Sequence, residues 1–339
     1  MAFSTDSLDG TTPTLASDMN NDAILKLFNP LYADLDPSGS FPAKRPLLAH
    51  YTSLAVLEKI LETEEVWFSN PLLMNDIEEV RFGIGRGSNL VHDNADLRSA
   101  CETPARVDLF NRAYEDCFQR FENEHAFDTY VFCLSEHDPK DFDGALSMWR
   151  GYGCNGNGAA IVFDTKQLEY REGSPLIFAK VKYGSVQQRT DGLNNLLDSF
   201  SLILTANKIP DDKLNIAAHA LFERIKLFAL FSKHNGFVEE KEWRFVYAPD
   251  RDAEKRLAPM FHYAIGPRGA EPKLRLKIAP IDGITASDLS LEKITERILL
   301  GPSISSPVAK KAILRMLDLH KKSSLGECVH ASTIPFRAI

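Results

Sequence analysis

Apolar residues recur along this chain in two periods, and the switches between them mark out its elements. Leu47-Leu48-Ala49-His50-Tyr51 predicts a short strand. Leu54, Leu57, Ile60 and Leu61 follow at helical spacing and give one apolar face. Thr52 or Ser53 can cap that helix, because a side-chain oxygen there can accept from a free backbone N–H. Val66 to Ser69 returns as a strand. Residues 78–127 read mostly as helix, with Phe110, Tyr114, Phe118 and Phe121 three and four positions apart, the stripe of a helix face packed into a core. Thr129–Leu134, Ala159–Phe163 and Ala179–Tyr183 predict strands, and Ala145–Tyr152 a helix start or tight turn. Residues 186–235 are expected to be helical, followed by a strand over Glu242–Tyr247. Strands over Lys273–Ile278 and Ile294–Leu300, a Gly301-Pro302 break, a helix over Pro307–Leu317 and a strand near Val329–Ser332 complete the series.

Strands and helices mix without a regular βαβ repeat, which points to an α+β fold around a central, mostly antiparallel sheet. The expected organisation is one α+β domain over residues 41–339, with a helical insertion at about 186–235. Residues 1–40 are rich in Ser, Thr, Asp, Asn and Pro and read as a flexible tail, with one short amphipathic stretch at Ala23–Phe28. The composition, 44% hydrophobic and 25% charged over 339 residues, is that of a soluble globular protein with material for a sizeable core. A formal charge of -8 argues against a broad electrostatic footprint for nucleic acid or an anionic membrane. The five cysteines are scattered, with no CxxC pair or Cys/His cluster, and fit reduced thiols in a cytoplasmic protein. No secretory signal layout is present, and no run approaches the ~20 apolar residues that span a bilayer. No membrane partner is expected.

Candidate chemistry gathers around the three tryptophans, Trp67, Trp149 and Trp243, each beside carboxylates, amides, a guanidinium or glycines. With His50-Tyr51-Thr52 they suggest the walls of one shared cleft. Glu240-Lys241-Glu242-Trp243-Arg244 carries the strongest signal. In a strand, residues two apart point the same way, so Glu240, Glu242 and Arg244 are expected on one face. Two carboxylates and a guanidinium together suit a polar ligand. Tyr152, between Gly151 and Gly153, offers a flat face that backbone and ligand can approach closely. Asp76 could cap the following helix with Glu79 closing a capping box, or these residues with Asn75 could face the cleft. Asp76, Glu79, Glu240 and Glu242 are also loosely compatible with a divalent ion, which would make a metal-dependent, nuclease-like hydrolase. A non-catalytic sensor or scaffold is the third class. The glycine-rich run Gly151–Gly158 precedes a strand and lacks the context of a phosphate loop.

The ordered motifs HYTSLAVLEKIL, WFSNPLLMNDIEE, FCLSE, MWRGYG, AIVFD, EEKEWR and HASTIPFR, from His50 to Arg337, resemble the bacterial family called domain of unknown function 2971. The layout also resembles the ADP-ribosyltransferase superfamily, in which a strand with His, a central aromatic segment and a strand beginning at Glu surround NAD. That resemblance implies a split sheet and an NAD site of His50, Tyr51, Thr52, Trp149, Tyr152 and Arg244. It implies that His50 holds the adenine-side ribose and that Thr52 lies near the nicotinamide carboxamide. Glu242 would hold the nicotinamide-side ribose and stabilise the oxocarbenium-like transition state, and Glu240 would orient or deprotonate the acceptor. The implied reaction cleaves the nicotinamide–ribose bond of NAD, the substrate, and passes ADP-ribose to water or to an unknown protein or nucleic-acid acceptor. No metal is required.

Overall fold

The structure is a computed structural model that describes residues 20–35, 47–74, 77–168, 173–266 and 269–336, with the side chains of 77–79, 81 and 82 outside that description. Most of the expected tail over residues 1–40 therefore lies outside the described residues, as do Asn75, Asp76 and the side chains of Glu78 and Glu79. In chain order the first elements are α1 (Asn21–Leu27), β1 (Leu47–Thr52), α2 (Leu54–Thr63), β2 (Glu65–Ser69), α3 (Ile77–Asp93), α4 (Ala95–Ala100) and α5 (Pro104–Arg120). The middle of the chain forms β3 (Tyr130–His137), α6 (Leu146–Gly151), β4 (Ala159–Asp164), β5 (Leu176–Lys180), β6 (Lys182–Gly184), α7 (Val186–Asn207) and α8 (Leu214–Leu230). It ends in β7 (Ser232–His234), β8 (Glu242–Tyr247), β9 (Phe261–Gly266), β10 (Gly269–Lys277), α9 (Leu291–Ile294), β11 (Thr295–Leu300), α10 (Pro307–Leu319) and β12 (Val329–Ala331).

The chain separates into two compact units, each assembled from segments distant in sequence. One comprises Met1–Pro37, Pro71–Thr129 and Val181–Asn235, the other Ser38–Asn70, Tyr130–Lys180 and Gly236–Ile339.

The first unit is helical. The expected helix over 78–127 is three helices, because Asn94 and Thr103 each turn a side-chain oxygen onto a free N–H and restart the chain. Its aromatic stripe is core: Phe110 and Tyr114 are buried, and Phe118 and Phe121 meet Phe222 of α8. The helical stretch expected over 186–235 is α7 and α8, divided at Ile209-Pro210, where Pro210 is extended and has no N–H to continue a helix. A Cβ built on Gly83 would come within 2.5 Å of the Ala229 Cβ, so α3 reaches α8 closely through a side chain of hydrogen alone.

The second unit is built on a ten-stranded sheet. Its pairings are antiparallel except for β11 with β12. The sheet is therefore mostly antiparallel, as the alternation of elements implied. Strand order runs β12-β11-β4-β1-β3-β2-β10-β9, with β8 joining β3 to β5. At β3 the sheet forks. β8 pairs one edge from Tyr130 to Ser135. On the other edge β1 pairs Ser135, Glu136 and His137, while β2 pairs Val131. Ser53 caps α2 onto this sheet, burying Leu57, Ile60 and Leu61 against it.

Alternation along β1 and β4 divides the apolar side chains into two layers. Leu48, Ile161 and Phe163 belong to one cluster, and Leu47, Ala49, Tyr51, Ala160 and Val162 to the other. The strand expected at Ala179–Tyr183 is two: β5 stops at Lys180, and β6 pairs in parallel with β7 in the helical unit. Among the described residues no helix is long and apolar enough to cross a membrane.

Candidate functional site

Side chains facing one another across a ladder point to the same side of a sheet. Ala49 opposes Ser135, and Ser135 opposes Glu242. Glu242 and Arg244 are therefore on the face of Ala49 and Tyr51. His50 and Thr52, offset by one residue, face the other way, where the His50 ring meets that of Phe132 at a tilt, centroids 4.7 Å apart. The structure does not enclose the six expected NAD-binding residues and the two glutamates in one pocket; the sheet itself stands between His50 and Glu242.

His50 sits in the fork. Its Nδ1 lies 3.4 Å from the carbonyl of Cys133, on the stretch of β3 between its β1 and β2 pairings. Burial lowers its pKa to about 4, and the carbonyl contact offsets that only in part. The neutral imidazole thus belongs to the sheet's own hydrogen bonding. Thr52 is buried at the end of β1 opposite Ala159.

Tyr51 and Trp149 are packing residues, in contrast to the ligand-wall role expected from their polar neighbours. Their rings meet edge to face at 4.8 Å. The Tyr51 hydroxyl accepts from the Ala145 N–H at 3.0 Å, and burial pushes its pKa up to about 12. Trp149 is 0% exposed, and its indole N–H donates to the Asp143 carbonyl at 2.8 Å. Trp243 is likewise buried, with its N–H on Glu136, whereas Trp67 is partly exposed under the Arg275 guanidinium at 4.2 Å. The three tryptophans do not share a cleft.

Tyr152 and Glu240 do meet. The phenol, on a ring 46% exposed, donates to Glu240 Oε1 at 2.7 Å. This short bond to a carboxylate joins residues 88 positions apart. Glu240 does not lie on β8 with Glu242, as the two-residue spacing implied. It ends a 3-10 turn over Asn235–Glu240, and Lys241 then takes φ 43, so the strand begins only at Glu242. A left-handed non-glycine residue is uncommon and held at some cost in strain. Here β3 holds it: Ser135 Oγ donates to the Glu240 carbonyl at 2.6 Å, and the Glu136 N–H to the Lys241 carbonyl at 3.0 Å.

Glu242 and Arg244 are 4% and 3% exposed and bonded side by side, Nε to Oε1 at 2.6 Å and Nη2 to Oε2 at 3.1 Å. Arg244 thereby grips the carboxylate bidentately. The pair is in place before any ligand arrives, and Glu240 is the more accessible acid. Ser135 and Glu136 were not singled out from sequence; the usable signal was a serine placed among apolar neighbours on β3. Among the described residues no group of three or more His, Cys, Asp or Glu is placed to hold a metal ion.

The glycine-rich turn serves close packing. A Cβ on Gly158 would lie 2.1 Å from the Thr52 carbonyl oxygen, and one on Gly301 2.4 Å from that of Gly156. These glycines let the ends of β1, β4 and β11 converge.

Residues 148–245 match the model of a family described as protein of unknown function (DUF2971). The matched segment, less than a third of the chain, carries Trp149, Tyr152, Glu240, Glu242 and Arg244 and stops short of His50. No curated protein and no solved structure matches the chain.

Proposed function

We propose that the chain cleaves the nicotinamide–ribose bond of NAD and transfers ADP-ribose to water or to a macromolecular acceptor, with Glu240 and Tyr152 at the reacting end. The observation that carries this reading is the Tyr152–Glu240 contact, an exposed aromatic face and an accessible carboxylate held together by a turn that β3 fixes. As the C–N bond lengthens, nicotinamide leaves with the bonding pair and positive charge develops on the ribose. A fixed carboxylate stabilises that charge without reorganising, while the ring gives the departing base a surface to stack on. The hydroxyl of Tyr152 keeps the carboxylate turned towards the ring. Glu242, buried and paired with Arg244, has no direct part at the ribose. His50 and Thr52 are outside this set.

Purified chain incubated with labelled NAD is expected to release nicotinamide, and label on added protein or nucleic acid would identify transfer. Glu240→Gln is expected to slow release by about 100-fold or more, the usual scale for losing a transition-state electrostatic contact. Tyr152→Phe, which keeps the ring, is expected to cost about tenfold. A wild-type rate equal to the enzyme-free blank, or a fully active Glu240→Gln variant, removes the proposal.

A further inference from the structure

The helical unit contains a cavity of about 280 Å³ with more cationic than anionic side chains in its lining. Lys182, Arg189 and Arg224 face it with one carboxylate, Asp34. Arg224 is 3% exposed and projects from the middle of α8. Its Nε donates to the Leu31 carbonyl at 2.6 Å, and its Nη2 to both Asp34 oxygens at 2.7 and 2.6 Å. Its Nη1 is buried and finds no acceptor among the described residues. A buried N–H without an acceptor is destabilising, and more so on a charged group. Arg224 lines the cavity, and an anionic oxygen that reached Nη1 from it would remove that cost.

The surroundings suit the same ligand. Gly184 and Ser185 lead from β6 into α7, a helix of 22 residues whose first turns, through Gln188 and Arg189, form part of the wall. The positive end of its dipole adds to the three cations. Lys182, at the rim, is half-exposed and bound to Asp34 at 2.8 Å, so one carboxylate is shared between two cations. Phe228, part-buried, supplies an apolar wall with Gly192 leaving room beside it, while Phe231, also in the lining, is 2% exposed. Excess positive charge together with an accessible aromatic ring describes a ligand with an anionic head and a compact ring. The volume lies at the small end of ligand sites, which excludes a dinucleotide and admits a sugar phosphate or nucleoside monophosphate.

We propose that this cavity binds a small phosphate monoester, its phosphate on Arg224 and Arg189 and its ring against Phe228. The site is independent of the Tyr152–Glu240 reading, and its test does not involve NAD. Calorimetric titration of the full chain with AMP, ribose 5-phosphate, inorganic phosphate and adenosine separates the contributions. The monoesters are expected to bind, inorganic phosphate more weakly, and adenosine at least about tenfold more weakly than AMP, because charge-assisted bonds to the phosphate carry the affinity. Arg189→Gln is expected to weaken AMP by about tenfold. Lys182→Gln, at the half-exposed rim, keeps the fold and is expected to weaken AMP less and to flatten its salt dependence. The proposal is overturned if neither monoester binds, if adenosine binds as tightly as AMP, or if AMP binding is unchanged in a folded Lys182→Gln and a folded Arg189→Gln.

Discussion

A polar residue near a tryptophan can signal a binding wall or a satisfied core, and burial distinguishes the two. At Trp149 and Tyr51 both polar atoms are spent on backbone within the same cluster, so these side chains hold α6 to the sheet. Glu242 illustrates the same distinction for charge. Removing one member of a buried pair exposes the other to a low-dielectric interior, so Glu242→Gln is expected to destabilise the protein by on the order of 3 kcal/mol in chemical denaturation. A glutamate acting only on substrate would leave the unfolding midpoint in place, which is the result that would restore Glu242 to the reacting site. His50 gives a pH dependence. Its folded pKa, about 4, is below the ordinary 6.5, so between those values the unfolded chain binds the extra proton. Stability is therefore complete above about pH 6.5 and falls as pH drops towards about 4. Burial lowers His137 and His330 in the same direction. Comparing wild type with His50→Gln at about pH 7 and about pH 4.5 is expected to show an extra acid loss of about 1–2 kcal/mol in wild type, after discounting for the ring's partial exposure. Parallel losses in the two proteins would show that His50 takes up its proton as readily folded as unfolded.

At the scale of elements, local pattern was informative where one face is buried and one is not. β1, β4, β8 and β11 and helices α2 and α10 fall where the periods placed them. The departures have local causes: capping residues divided the long helix at Asn94 and Thr103, and a left-handed Lys241 separated Glu240 from β8. The strand β9 was not anticipated, and two of its residues, Tyr263 and Ile265, are exposed apolar side chains on an outer strand of the sheet. The convergence at the glycine turn is testable. Gly158→Ala places a methyl against the Thr52 carbonyl, backbone that cannot swing aside, and is expected to cost about 1–3 kcal/mol of stability as overpacking does. An unchanged denaturation midpoint would mean that β1 and β4 can separate there freely.

The whole molecule is assembled from interleaved segments. The family-matched stretch, residues 148–245, contains β4 without its partners β1 and β11, and the β5–β8 pair without β3, and divides its residues between the two units. Expressed alone, it is expected to show no cooperative thermal transition, since strands without their partners cannot bury their apolar faces. A sharp unfolding transition from that fragment would show that the matched segment is an independent domain. The sequence by itself determined the fold class, most element positions, the identity of the apolar faces and the closeness of Glu242 to Arg244, because each depends on periods and spacings within a few residues. Tertiary structure alone decided that His50 and Glu242 face opposite sides of the sheet, that Tyr152 meets Glu240, and that Asp34 meets Arg224. Those outcomes depend on strand register and on which distant segments pair, and a shift of one residue in register moves every side chain to the other face.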